Sequence, residues 1–174
     1  QIKCQIVVLF GYIRTMKERK IFKELREHLT KKQITVITGM RRVGKTTALK
    51  YLLKKINHQN KIYLDCERIE LRSILNKENY EAIIEAIKLK GIDFESKAVI
   101  AIDEIQLIEN LPSFIKYAYD TYNIKFIVSG SSSYYMKNQF SQSLAGRKHI
   151  FEMFPLNFSE FLTFKGESIR GVDN

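Results

Sequence analysis

Gln33-Ile34-Thr35-Val36-Ile37-Thr38-Gly39-Met40-Arg41-Arg42-Val43-Gly44-Lys45-Thr46-Thr47 is the stretch that decides the fold. Its first six residues are short, apolar and β-branched, which predicts a buried strand. From Gly39 to Thr46 it satisfies the phosphate-loop pattern G-x-x-x-x-G-K-[ST] at every fixed position. Beyond it, Leu49, Leu52, Leu53 and Ile56 recur at helical spacing. The pattern therefore lies between a strand and a helix, where its chemistry requires it.

That chemistry follows from the backbone. Gly39 and Gly44 carry no Cβ, so the chain can adopt unusual dihedrals and approach a triphosphate with its N–H groups turned inward as an anion nest. The helix beginning at Lys45 adds the positive end of its dipole. Lys45 is the mobile cation for the β and γ phosphates, and the Thr46 hydroxyl is a ligand for Mg²⁺, which prefers oxygen. The nucleotide-contacting set is Gly39, Arg41, Arg42, Val43, Gly44, Lys45, Thr46 and Thr47.

Composition bounds the alternatives. The 174 residues are about one domain, with 45% hydrophobic and 28% charged side chains, values of a globular chain. Cys4 and Cys66 are too few for a metal cluster or a disulfide framework, which suits a reducing, cytoplasmic setting. No apolar run approaches the ~20 residues of a membrane span. The net charge of +10 favours anionic partners, nucleotide or nucleic acid, although the lysines are scattered and also fit a solvated basic surface.

Elsewhere the periodicity alternates strand with helix. Residues 1–15, apolar around Cys4 to Phe10, form an extension of uncertain origin, and Met16 stands where a natural start could fall, before a helix over 17–29 with Ile21, Phe22, Leu25 and Leu29 on one face. Lys61 to Cys66 reads as a second strand, 67–90 as helical with Tyr80, Ile83, Ile84, Ile87 and Leu89 at helical spacing and Gly91 as its stop, and Ala98 to Glu104 as a buried strand ending in two acids. A helix over Leu111 to Tyr122 precedes a fourth strand, Ile124 to Ser129. A further helix, about Tyr134 to Leu144, precedes a fifth strand from Lys148 to Phe154, closed by Pro155. The expectation is an α/β P-loop NTPase, a doubly wound five-stranded parallel sheet flanked by helices, with ligands at the carboxyl ends of the strands.

Asp103 and Glu104 fall where a buried strand runs out. An Asp there can hold Mg²⁺ through its waters, and an adjacent Glu can polarise the water that attacks the γ phosphate. Strand ends also carry acids simply because acids tolerate solvent, so the pair gains its meaning from the phosphate loop beside it.

With these residues in view, the chain resembles a known group. Gly39 to Thr47, Ile102-Asp103-Glu104-Ile105-Gln106, Ser129-Gly130-Ser131-Ser132-Ser133, Leu144-Ala145-Gly146-Arg147 and Phe154-Pro155-Leu156-Asn157-Phe158-Ser159-Glu160-Phe161-Leu162 are together similar to the AAA-type ATPase core of a large set of archaeal and bacterial P-loop ATPases. The resemblance spans roughly 17–165. It implies ATP and Mg²⁺ as ligands, Ser131 or else Ser129 as the polar sensor that helps place the attacking water, and Arg147 as an arginine finger reaching a neighbouring subunit's γ phosphate in a homo-oligomer. A Ser-rich loop is otherwise a turn, and an Arg at a helix end otherwise pairs with helix carbonyls or a surface acid. Gln106 and Asp65 read as polar residues at strand edges. Many relatives carry Pro where this chain has Met40.

The expected organisation is an extension over 1–15, the ATP-binding core over 16–165 and a tail over 166–174. Lid helices and a second arginine sensor would lie outside this chain, so ATP binding should survive and turnover should suffer. The leading expectation is Mg²⁺-dependent ATP hydrolysis coupled to conformational change. The alternative is a nucleotide switch that binds ATP and recruits DNA or protein with little turnover. A small-molecule kinase ranks behind both, for want of an acceptor pocket. The chain also lacks an Asn-Lys-x-Asp stretch for reading guanine, which leans toward adenine.

Overall fold

The computed structural model describes residues 17–130 and 144–167. Five parallel strands, β1 (Ile34–Gly39), β2 (Lys61–Asp65), β3 (Ala98–Asp103), β4 (Ile124–Gly130) and β5 (Lys148–Met153), form one sheet in the order β2-β3-β4-β1-β5. The helices are α1 (Ile21–His28), α2 (Lys45–Lys55), α3 (Ile69–Leu75), α4 (Tyr80–Lys88), α5 (Leu111–Thr121) and α6 (Phe158–Lys165), with a 3₁₀ turn at Ile105–Leu107. The three inner strands β1, β3 and β4 are buried at every residue, as parallel strands covered on both faces must be.

The period of two sorts these strands between two cores. Ile34, Val36, Ile100, Ile102, Phe126 and Val128 pack with α3, α4 and α5. Ile37, Val99, Ala101, Ile127, Phe151 and Met153 pack on the other face with Leu25 of α1 and Leu49 and Leu52 of α2. Asp103 continues the second set along β3, and Ser129 continues it along β4. The alternation that builds the core thus delivers both polar side chains to the face covered by α2, the helix that carries Lys45.

Three local readings change. The stretch over 67–90 is two helices, not one: Asn79 caps α4 by accepting from the N–H groups of Glu81 and Ala82 at 2.9 and 3.3 Å, and the turn lets Leu75 and Ile83 enter the same core. Leu89 is 89% exposed and leaves the buried face. The first helix begins only at Ile21, with Lys20 as its N-cap. The expected helix over 134–144 lies outside the described residues.

The segment after β5, read from the sequence only as a motif, is a helix. Asn157 accepts from the Glu160 N–H at 2.9 Å while the Glu160 carboxylate accepts from the Asn157 N–H at 3.2 Å. This reciprocal capping box starts α6, and the left-handed Gly166 ends it. Among the described residues, no helix is long and apolar enough to cross a membrane.

Candidate nucleotide-binding site

Parallel strands bring their carboxyl ends to one edge. Gly39 ends β1, Gly130 ends β4 beside it in register with Thr38, and Asp103 ends β3 one strand further on. The phosphate loop leaves that edge through Arg42 (φ 64°) and Gly44 (φ 98°) and enters α2 at Lys45. Two left-handed residues so close together curl the backbone, the conformation that turns successive N–H groups into one concavity. Gly39 has a further, steric reason to be glycine: a Cβ would stand 2.2 Å from the Met153 carbonyl oxygen of β5.

Lys45 is 5% exposed, and its Nζ donates to the carbonyls of Gly39 at 3.2 Å and Met40 at 2.7 Å. Burial lowers its pKa, and the charges of Glu104 and Asp103 pull it back up, so the two acids act on this ammonium. Among the described residues Lys45 forms no ion pair. A buried cation held only by loop carbonyls is an electrostatic demand for an anion. Thr46, the next residue of α2, is half-buried, while Arg41, Arg42 and Thr47 are exposed at the rim.

Asp103 is 2% exposed and anchored from both sides. The Tyr63 hydroxyl donates to its Oδ2 at 2.9 Å, and the Ser129 hydroxyl donates to its Oδ1. Burial, then the Asp103 charge, pushes the Tyr63 phenol far above its ordinary value, so it remains a donor. Glu104 takes a left-handed backbone (φ 53°, ψ 47°), which only a few per cent of non-glycine residues do. The amide of Gln106 donates to the Glu104 carboxylate. This turn directs consecutive acids differently: Asp103 inward beside Ser129, Glu104 half-exposed at the edge.

The remaining assignments divide. Ser129 touches Asp103, whereas Ser131 lies outside the described residues. Asp65 accepts from the Glu67 N–H at 3.0 Å and shapes a turn. Arg147 stands at the opposite edge of the sheet. Its carbonyl accepts from the Ile34 N–H at 2.8 Å, at the start of β1, and its guanidinium donates to Asp120 at 2.9 and 3.0 Å. It is therefore separated from its own phosphate loop by about the length of β1, ~16 Å at ~3.3 Å per residue. Sequence reading did not single out Tyr63. The apolar-polar alternation of Lys61 to Asp65 beside the acid strand could have pointed to it.

A parallel sheet with a strand inserted between the phosphate-loop strand and the acid strand, and a Lys-bearing loop facing an Asp-Glu pair, defines a P-loop ATPase of the AAA type. A family described as an AAA domain matches residues 31–162, and the chain belongs to that family. Two uncharacterized proteins of Methanocaldococcus jannaschii, MJ1544 and MJ1637, are each 32% identical to it, over 154 and 137 residues. An uncharacterized protein of Haemophilus influenzae is 28% identical over 137 residues. The chain covers 34%, 28% and 34% of these relatives, respectively, so it spans about a third of their length. Among solved structures it is similar to the Walker-type ATPase PABY2304 of Pyrococcus abyssi, with a TM-score of 0.60 at 18% identity, covering 91% of this chain and 61% of that one. It is also similar to PCH-2 of C. elegans, with a TM-score of 0.54 at 14% identity, covering 84% of this chain and 43% of that one.

Proposed function

We propose that this AAA core binds ATP with Mg²⁺ at the carboxyl edge of the sheet and hydrolyses it to drive a conformational change. The observation that carries the reading is Lys45, a buried ammonium without an ion-pair partner among the described residues, at the mouth of a curled, left-handed backbone loop. The donor set fits a magnesium nucleotide: a hydroxyl at Thr46, a carboxylate at Asp103 and a loop cation. When bound, the ion neutralises charge on phosphate oxygens.

Each residue has a distinct task. Lys45, which donates to the Gly39 and Met40 carbonyls, would turn to the β and γ phosphates, and Thr46 and Asp103 would hold the ion. Tyr63 and Ser129 keep Asp103 oriented. Glu104 polarises the attacking water, and Ser131 or Ser129 helps to place it. The exposed Arg41 and Arg42, with the +10 net charge, support an anionic load such as DNA beside a protein one.

Lys45→Ala should weaken MgATP binding by on the order of 100-fold, the ~3 kcal/mol of a charge-assisted contact. Glu104→Gln should keep binding and lose about 10²-fold or more of turnover. Calorimetry and phosphate release measure the two. Turnover in Glu104→Gln equal to the parent would remove Glu104 from the mechanism, and no heat of binding in the folded parent would remove the nucleotide. The switch reading, binding with little turnover, predicts that phosphate release stays slow at every protein concentration.

A further inference from the structure

Arg19, ahead of α1, has all five of its guanidinium N–H groups engaged. Nε and Nη2 donate to the two oxygens of Glu160 at 3.3 and 2.9 Å. Nη1 donates to the carbonyls of Val43 at 3.0 Å and Phe154 at 2.9 Å, and Nη2 also donates to that of Pro155 at 3.3 Å. The Glu160 carboxylate accepts in addition from the backbone N–H groups of Lys20 at 3.0 Å and Asn157 at 3.2 Å. The side chains are 10% and 7% exposed, so this is a desolvated, fully satisfied pair.

One of these contacts reaches the site. The Val43 carbonyl and the Gly44 N–H belong to a single trans peptide plane and point in opposite directions. A donor that holds the carbonyl from outside therefore turns the N–H toward the interior of the loop. Gly44, at φ 98°, has open space where a Cβ would stand, the nearest atom being the Met153 Cε at 3.9 Å, and its carbonyl accepts from the Ala48 N–H at 2.9 Å on the helix side. Arg19 supplies the matching hold on the loop side of the residue, at the Val43 carbonyl.

We propose that Arg19 is a positioning residue for phosphate recognition: clamped by Glu160, it fixes the Val43–Gly44 peptide so that the Gly44 N–H faces the loop interior, and it ties the loop's grip to the placement of α6. This rests on the reading that the loop holds a triphosphate. It also gives Glu160, which stands in the Pro155 to Phe161 motif, a task at the site. Lysine cannot replace the arginine, because one ammonium cannot span a carboxylate and three carbonyls in the same plane.

Arg19→Lys, Arg19→Ala and Glu160→Gln test the proposal in the full chain, Glu160→Gln retaining a side chain suited to its capping position. The residual dipolar coupling of the Gly44 N–H in the nucleotide-free protein, which reads the orientation of that peptide, should change in all three. Affinities for MgATP and for inorganic pyrophosphate should both fall about tenfold or more, by similar factors, because the defect lies at the phosphates. Should Arg19→Ala not fold, the two milder variants carry the test. An unchanged Gly44 coupling, or affinities within about twofold of the parent in folded variants of lower melting temperature, would make the pair a structural tie and overturn the proposal. If the parent itself binds neither probe, the nucleotide reading fails, and the Gly44 coupling alone decides whether Arg19 sets the Gly44 peptide.

Discussion

Gly39 and Gly44 are the fixed glycines of one motif, yet the structure needs them for different reasons. At Gly39 a methyl group would collide with the Met153 carbonyl of the neighbouring strand, on a backbone at φ 145° that side chains avoid. At Gly44 the space is open and only the left-handed φ of 98° is demanding. Gly39→Ala should therefore cost about 3 kcal/mol or more of stability, and Gly44→Ala about 1–2 kcal/mol. Midpoints of denaturant unfolding measure both, and equal losses would refute the distinction. At this scale the placement of Lys45, Asp103 and Glu104 at the carboxyl edge of the sheet was legible in the sequence, since each sits on a local pattern a few residues long. Arg19 and Glu160 were not legible, since a pair 141 positions apart leaves no periodic trace. That Ser129 meets Asp103 follows only from the register of β3 against β4, which no short stretch of sequence records.

Elements were legible where one face is apolar and ambiguous where polar residues interrupt. The five strands were read within a residue or so because the inner three are buried throughout and mostly apolar, while β2 and β5 mix apolar with polar residues. The break between α3 and α4 was missed because helical spacing on its two sides runs on through Asn76 to Asn79, and a cap is one side chain. The C-terminal end of α1 carries a pH-dependent feature. His28 is 3% exposed, its Nδ1 lies 2.8 Å from the Thr35 hydroxyl, and its Nε2 has no polar partner among the described residues. Burial, then the Lys125 and His149 charges, lowers its pKa to about 4. The unfolded chain thus binds a proton, between pH ~6.5 and ~4, that the folded chain refuses. Stability from this group is complete above pH ~6.5 and is lost as the pH falls toward 4, by roughly 2 kcal/mol at pH ~5. Unfolding curves at several pH values should show His28→Asn with a flatter slope than the parent between pH ~7 and ~5. Parallel slopes would contradict the assignment.

For the whole molecule the question is what Arg147 does on the far edge of the sheet. Its bidentate pair with Asp120 is the bland arrangement that an Arg beside a helix end adopts by default, and its distance from the loop of its own chain means that any action on a nucleotide would fall on a second copy. A role in trans predicts phosphate release per chain that rises with protein concentration in single turnover. It also predicts that Arg147→Ala is concentration-independent and about 10³-fold slower at saturation. A parent rate that is flat with concentration would confine Arg147 to its pair with Asp120.

The strand order has a consequence for how the molecule comes into being. Among the described strands β1 leaves the ribosome before the others, yet both of its hydrogen-bonded neighbours, β4 and β5, come from residues 124–153. Until then the phosphate loop hangs from a strand with two open edges, and the growing chain must keep Ile34 to Ile37 out of the reach of other nascent strands. The phosphate loop therefore has no completed sheet edge beneath it until both β4 and β5 have been translated.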